Sequence, residues 1–258
     1  MKTKIYYLAI FFIITLLSLF LSKGSRYTGI NHSVSIEKIS NFKKIKDFYI
    51  RHKNYEELVN DITVNVNDQE LIIKKISLWI YENINEVPED QDVVDSHPWT
   101  VIERRLAVSE QYSDILSVLL VHKDIDSFFC FGVENLEYPI TFFKHDNYWS
   151  IIDPRYGIYF LNKEKNFSSL DENKKTDWAM YHLVEGEVNS KNFQKIFLDD
   201  KFNTYIKMKI FYRILISNLP SNKLINQTSI YNRCRGNRSY IQKPIHRFIY
   251  QLRNLFSN

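Results

Sequence analysis

One change of period constrains the fold of this chain more than any other feature. From Ser109 to Leu120, in "SEQYSDILSVLL", Tyr112, Ile115, Leu116, Leu119 and Leu120 fall at i, i+3, i+4, i+7 and i+8, one continuous helical face. Shortly afterwards the pattern becomes a series of short aromatic and β-branched runs, "DSFFCFGV", "YPITFFKH", "YWSIID" and "GIYFLN", parted by turn-forming residues. Such runs predict antiparallel strands. A helix buried along one side and followed by a series of strands predicts an α+β domain.

Helical spacing recurs on both sides of this block. "SVSIEKISNFKKIKDFYIRHK" and "DQELIIKKISLWIYENI" each carry it; in the second, Leu71, Ile72, Ile76, Trp79 and Ile80 form the apolar face, and Asp68 and Glu70 suit a helix start. The acidic "NEVPEDQDVVDSHPWTV" contains two prolines and reads as a loop. Towards the end, "FNTYIKMKIFYRILISNL" places Ile206, Ile210, Phe211 and Ile214 together. "HRFIYQLRNLFSN" does the same with Phe248, Ile249, Leu252, Leu255 and Phe256. The expected organisation is a membrane helix over 1–24, an α+β domain over 30–185 and a basic helical extension over 186–258.

The N-terminus, "MKTKIYYLAIFFIITLLSLFLSKGSRY", has a basic start, an uncharged and mostly apolar run from Ile5 to Leu21, then Lys23 and Arg26. No Ala-x-Ala cleavage site follows, so an uncleaved signal anchor is the expectation, with the body outside the cytoplasm of a bacterial cell. The net charge of +4 hides an asymmetry: eleven of the 34 basic residues, and none of the 30 acidic ones, lie from Lys201 onward. A tail so polarised suits an anionic surface. The choice lies between lipid headgroups next to the anchor and packing on the acidic remainder of the chain; nucleic acid does not fit an exported protein. Two cysteines are too few for a disulfide framework, and Cys130, in "SFFCFGV", reads as a small buried hydrophobe. No spacing of Cys and His suits a metal, and no cofactor is expected.

The order of a helix from "LIIKKISLWIYENI", a loop, a helix opening at Ser109 and strands ending in "YWSIIDPRYG" resembles the transglutaminase-like branch of the papain-like cysteine-protease superfamily. The resemblance covers residues 70–161 and is carried by "SEQY…IL..LL" and "WSIIDPRYG". It implies a central helix packed on an antiparallel sheet. It also implies three positions: a Cys opening the helix, a His beginning a strand and an Asp ending the next strand before Pro. Carried across, these fall on Ser109, Tyr138 and Asp153. Strand geometry supports the last two independently of the family. If residues 144–147 form a four-residue loop, Phe143 pairs with Tyr148, and Tyr138 stands opposite Asp153 on one face.

The chemistry of those three is poor. A thiol, with a pKa near ~8.5, ionises readily at a helix N-terminus, whereas a serine hydroxyl needs a positioned base. Tyrosine, near ~10, is a weak general base. Ser109 has an alternative role as helix cap. His97 is the one histidine whose position leaves it open as a substitute base; His122 lies at the far end of the helix and His145 at the predicted hairpin tip. Arg104 and Arg105 precede the helix as solvated residues or as holders of an anion. The expectation is a catalytically degenerate protein that binds a peptide, cell-wall or polysaccharide-assembly partner. The rivals are an active hydrolase or acyltransferase using Ser109, and a structural component of an envelope complex.

Overall fold

The computed structural model of the chain describes residues 2–29, 34–88, 91, 93–94, 97–131, 138–174, 178–193 and 204–219. Helix α1 spans Lys2–Leu21. A hairpin follows, β1 (Lys23–Thr28) with β2 (Ser35–Ser40), and leads into α2 (Asn41–Ile62). Next come α3 (Gln69–Asn83), β3 (Asn85–Glu86), α4 (Pro98–Arg104), β4 (Leu106–Ala107) and α5 (Ser109–Val121). The strands β5 (Ser127–Phe131), β6 (Pro139–His145), β7 (Tyr148–Asp153) and β8 (Ile158–Leu161) come after it. The short helix α6 (Leu170–Lys174), then β9 (Ala179–His182), β10 (Gly186–Glu187) and α7 (Tyr205–Asn218) complete the described chain. The main sheet has six antiparallel strands in the order β10-β9-β8-β7-β6-β5. The architecture is α+β.

The sheet is buried on both faces, which is why its strands read as near-continuous apolar runs. On one face Phe143, Ile152, Tyr159 and Leu161 pack with Ile115, Leu116 and Leu119 of α5 and Ile73, Ile76 and Ile80 of α3. On the other, Phe142, Ile151, Ile158 and Phe160 pack with Met208, Tyr212, Leu215 and Ile216 of α7. Neighbouring residues along each strand go to opposite layers, as the two-residue period demands.

Several details depart from the sequence reading. Residues 35–40, taken there as helical, form a strand against β1, and Ser40 caps α2 by accepting from the Lys43 N–H at 3.2 Å. The supposed loop from 85 onward contains β3, and α4 opens at Pro98, a favoured first helical residue. In α3, Asp68 caps the helix through the Leu71 N–H at 2.7 Å, but Leu71 is exposed and Ile73 takes its place inside. In α7 the assumed apolar face is turned mostly outward, with only Phe211 packed on the core, against the Tyr138 ring. Ile206, Ile210 and Ile214 are exposed, while Met208, Tyr212, Leu215 and Ile216 are buried. The hydroxyl of Tyr212 has a buried partner in the sheet, Asp153, which fits this rotation of the helix.

The β6–β7 hairpin has two loop residues rather than four. Asp146 (φ 48°) and Asn147 (φ 76°) both adopt the left-handed region, the requirement of a tight primed turn, and His145 pairs with Tyr148. Phe143 therefore faces Ser150, a slip of two residues from the expected register. Cys130, on β5, is buried as expected but is disulfide-bonded rather than a free hydrophobe. The other cysteine of the chain, Cys234, lies outside the described residues, as do the C-terminal helix expected over 246–258 and most of the basic tail.

The N-terminal helix forms, and its described side chains are exposed, Phe11 to 72%. Those side chains are Tyr6, Tyr7, residues 10–15, Leu17, Ser18 and Leu21, which do not make an unbroken run. Among the described residues, no helix is long and apolar enough to cross a membrane.

Candidate functional site

Asp153 ends β7 and is wholly buried. Its side-chain oxygens are filled by donors. Oδ1 accepts from the backbone N–H of Arg155 at 3.1 Å and of Tyr156 at 3.4 Å, closing the turn that leaves the strand. Oδ2 accepts from the hydroxyl of Tyr138 and from that of Tyr212 at 2.6 Å. A carboxylate offers about four acceptor positions, and here none is left for a histidine.

Tyr138 reaches Asp153 despite the shifted register. A slip of two residues preserves the face and turns directly opposed partners into diagonal ones, a separation a tyrosine can bridge. Tyr212 comes from α7, 59 residues further along the chain. Sequence reading missed it because nothing in "IFYRIL" separates a tyrosine with a buried partner from ordinary helix filling. Burial pushes the Asp153 carboxyl up; the two tyrosine hydrogen bonds pull it down without cancelling that effect. Burial, and then the facing carboxylate, push both tyrosine hydroxyls well above their usual range. Neither tyrosine can take a proton near neutral pH. Both give hydrogen bonds to Asp153.

Ser109 stands apart from this cluster. It is the first residue of α5, and the cap position falls on Val108, whose N–H donates to Gln111 Oε1 at 3.1 Å. The expected capping role of Ser109 is therefore not filled. Among the described residues, none hydrogen-bonds its hydroxyl. Tyr138 and Asp153 face the layer containing α7, whereas α5 covers the opposite face of the sheet. The structure thus brings together two of the three sequence-chosen residues and adds Tyr212.

The histidines do not supply the missing base. His97 stands at the cap position of α4 and lines a cavity with Arg26, Asp47 and Arg51; it makes no hydrogen bond to Ser109. His122, at the end of α5, faces His52, with the two ring nitrogens 2.9 Å apart. His145 contacts the Tyr148 hydroxyl at 3.2 Å. His182 is buried on β9 and accepts from the N–H groups of Val184 and Glu185, and burial lowers its pKa. It lies across β8 from Asp153, with Ile158 between them. Arg104 bonds the Leu106 carbonyl at 3.0 Å, and Arg105 adopts the left-handed cap of α4 (φ 61°). Among the described residues, no group of three or more His, Cys, Asp or Glu side chains could hold a metal.

Beside the cluster, Arg155 forms a two-pronged ion pair with Glu86 of β3, Nε to Oε2 at 3.2 Å and Nη2 to Oε1. Its guanidinium also lies over the Tyr156 ring, 4.9 Å from the centroid. This clamp joins the end of β7 to the segment before α4.

No protein-family model matches the chain. No curated protein matches it either. Among solved structures, one match is described as a "Putative Cysteine Protease from Cytophaga hutchinsonii". The two chains are 14% identical, the match covers 40% of this chain and 37% of that one, and the TM-score is 0.35. The chain therefore spans well under half the length of that protein, at a level of likeness that carries no argument about its chemistry.

Proposed function

We propose that this is a transglutaminase-like protein that has lost thiol chemistry, is held in a bacterial cytoplasmic membrane by α1 and acts outside the cytoplasm as a binding module. Its ligand class would be a peptide, a cell-wall fragment or a polysaccharide-assembly partner. One observation carries the non-catalytic reading: the carboxylate that would orient a histidine is occupied by the hydroxyls of Tyr138 and Tyr212. A nucleophile at Ser109 would need a base, and the group at the base position is a proton donor.

The anchor reading draws on the uncharged run Ile5–Leu21 and on the length of α1, which at 1.5 Å per residue is about 30 Å, the thickness of a bilayer core. The disulfide at Cys130 suits an oxidising compartment. The acid-free tail would lie along lipid headgroups.

Two experiments test these readings. Membranes carrying the full chain are treated with a fluorophosphonate probe, and no labelling is expected; labelling that disappears in Ser109→Ala would establish an active serine. The same membranes are washed with alkaline carbonate, which should leave the chain in the pellet. Release into the supernatant would remove the anchor.

A further inference from the structure

Two adjoining cavities, of about 330 and 350 Å³, lie between the β1–β2 hairpin, one side of α2 and the start of α4. Both are lined by Arg26, Asp47, Arg51 and His97. The helix spacing of Lys44, Asp47, Phe48 and Arg51 brings them to one side of α2, facing the hairpin. The walls thus combine cations with apolar surface from Phe48 and Ile39 in one cavity and from Ile50 and Trp99 in the other.

Among the described residues, the carboxylates nearby are already engaged. Asp47 is held by Arg26 Nη1 at 2.8 Å. Glu37 is shared by Arg26 at 3.2 Å and Lys43 at 2.6 Å. Glu103 accepts from the Trp99 indole N–H at 2.7 Å. Two wall cations remain, Lys44 and Arg51, with no hydrogen bond or ion pair to a described residue. Burial lowers the pKa of the Arg51 guanidinium, and the attraction of Tyr55 and Asp47 does not cancel that effect. Asp47 attracts Arg51 through space but gives its ion pair to Arg26, so the half-buried Arg51 guanidinium has hydrogen-bonding positions open to an anion in the cavity.

We propose that this pocket binds a phosphate monoester. A planar guanidinium grips two phosphoryl oxygens at once, and the Lys44 ammonium adds a second charge, so the pair matches a dianion better than a single carboxylate. The apolar walls leave room for the organic part of the ester. The same chemistry is offered by a soluble phosphorylated molecule and by an anionic lipid headgroup. Arg26 is only five residues beyond Leu21, so an inserted α1 would put the pocket near the membrane surface. Only the lipid source rests on the anchor reading.

The test uses the full chain in nonionic detergent, titrated calorimetrically with inorganic phosphate and glycerol phosphate. Saturable binding is expected, absent with chloride at equal ionic strength. Arg51→Gln should weaken it about tenfold or more, and Lys44→Gln by a smaller factor. The unfolding midpoint of Arg51→Gln should equal or exceed that of the parent, because a half-buried cation with no hydrogen-bonded carboxylate is removed; a lowered midpoint would make Arg51 structural and overturn the proposal. A second arm places the chain in phosphatidylcholine nanodiscs with and without phosphatidic acid. If phosphatidic acid abolishes phosphate binding in the parent chain, the source is lipid; if phosphate still binds, it is soluble. Absence of phosphate binding in detergent, or equal binding by Arg51→Gln, overturns the proposal. Carbonate extraction of the chain would remove the lipid source while leaving the detergent result intact.

Discussion

Tyr212→Phe removes one hydroxyl and leaves the ring, so it opens no appreciable cavity and isolates a single hydrogen bond. That bond, 2.6 Å long, runs between two side chains that are both fully buried, to the carboxyl oxygen that also accepts from Tyr138. Hydrogen bonds to charged groups contribute about 1.5–3 kcal/mol, and the orphaned lone pair cannot be rehydrated where it lies, so a loss of about 2 kcal/mol is expected near pH 7. The loss should depend on pH. The folded pKa of Asp153 already lies above its ordinary value, and removing a donor raises it further. A carboxyl raised in the folded state favours folding under acid, and that advantage fades as pH rises through the folded value. Near pH 4 the deficit should therefore shrink towards the ~1 kcal/mol of a neutral bond. Urea unfolding followed by tryptophan emission measures this, with the parent, Tyr212→Phe, Asp153→Asn and the double variant compared in one detergent. A deficit under ~0.5 kcal/mol refutes the reasoning. So does a deficit of equal size in the Asp153→Asn background, because the two groups would then be uncoupled.

Burial lowers the pKa of His122 and of His182. The unfolded chain then binds those protons more readily, so stability is full above about pH 6.5 and falls as acid carries the pH down through the folded values. Denaturation midpoints at pH 7.5 and 5.5 should show this fall, and His122→Asn should reduce it; a flat profile would contradict the sign. Replacing Asn147, at φ 76°, by Gly should stabilise the hairpin turn by about 0.5–1 kcal/mol, whereas Asn147→Val should destabilise it, both read as shifts in urea midpoint. Peptide mapping without reductant should recover Cys130 in a disulfide-linked peptide, and Cys130→Ser should cost about 2–4 kcal/mol; a free thiol at Cys130 would overturn this.

The parts of the fold legible in the sequence were those with strong periodicity. Helix α5 and strands β5–β8 lie where the change of period placed them, because each buries a face that only one period can form. Reading failed where a local pattern competed with a distant partner. Ile206, Ile210 and Ile214 make a tidier apolar line than Met208, Tyr212 and Leu215, yet the second set is buried, since Asp153 draws Tyr212 inward. Residues 35–40 have helix-compatible spacing but pair with residues 23–28, a contact no window within β2 contains. At the candidate site, the parity of the strands put Tyr138 and Asp153 on one face even though the loop length was wrong by two. The rest depended on side chains from α2, α4 and α7, far apart in the chain.

Helix α7 also bears on how the protein is made. All six strands of the sheet are present by Glu187, but the helix that covers Phe142, Ile151 and Phe160 begins at Tyr205, eighteen residues later. That helix ends at Asn218, so at roughly 5–20 residues per second a growing chain carries that greasy surface bare for about two to six seconds. During that interval it would depend on a chaperone, or on the translocation machinery, to prevent clumping with its neighbours.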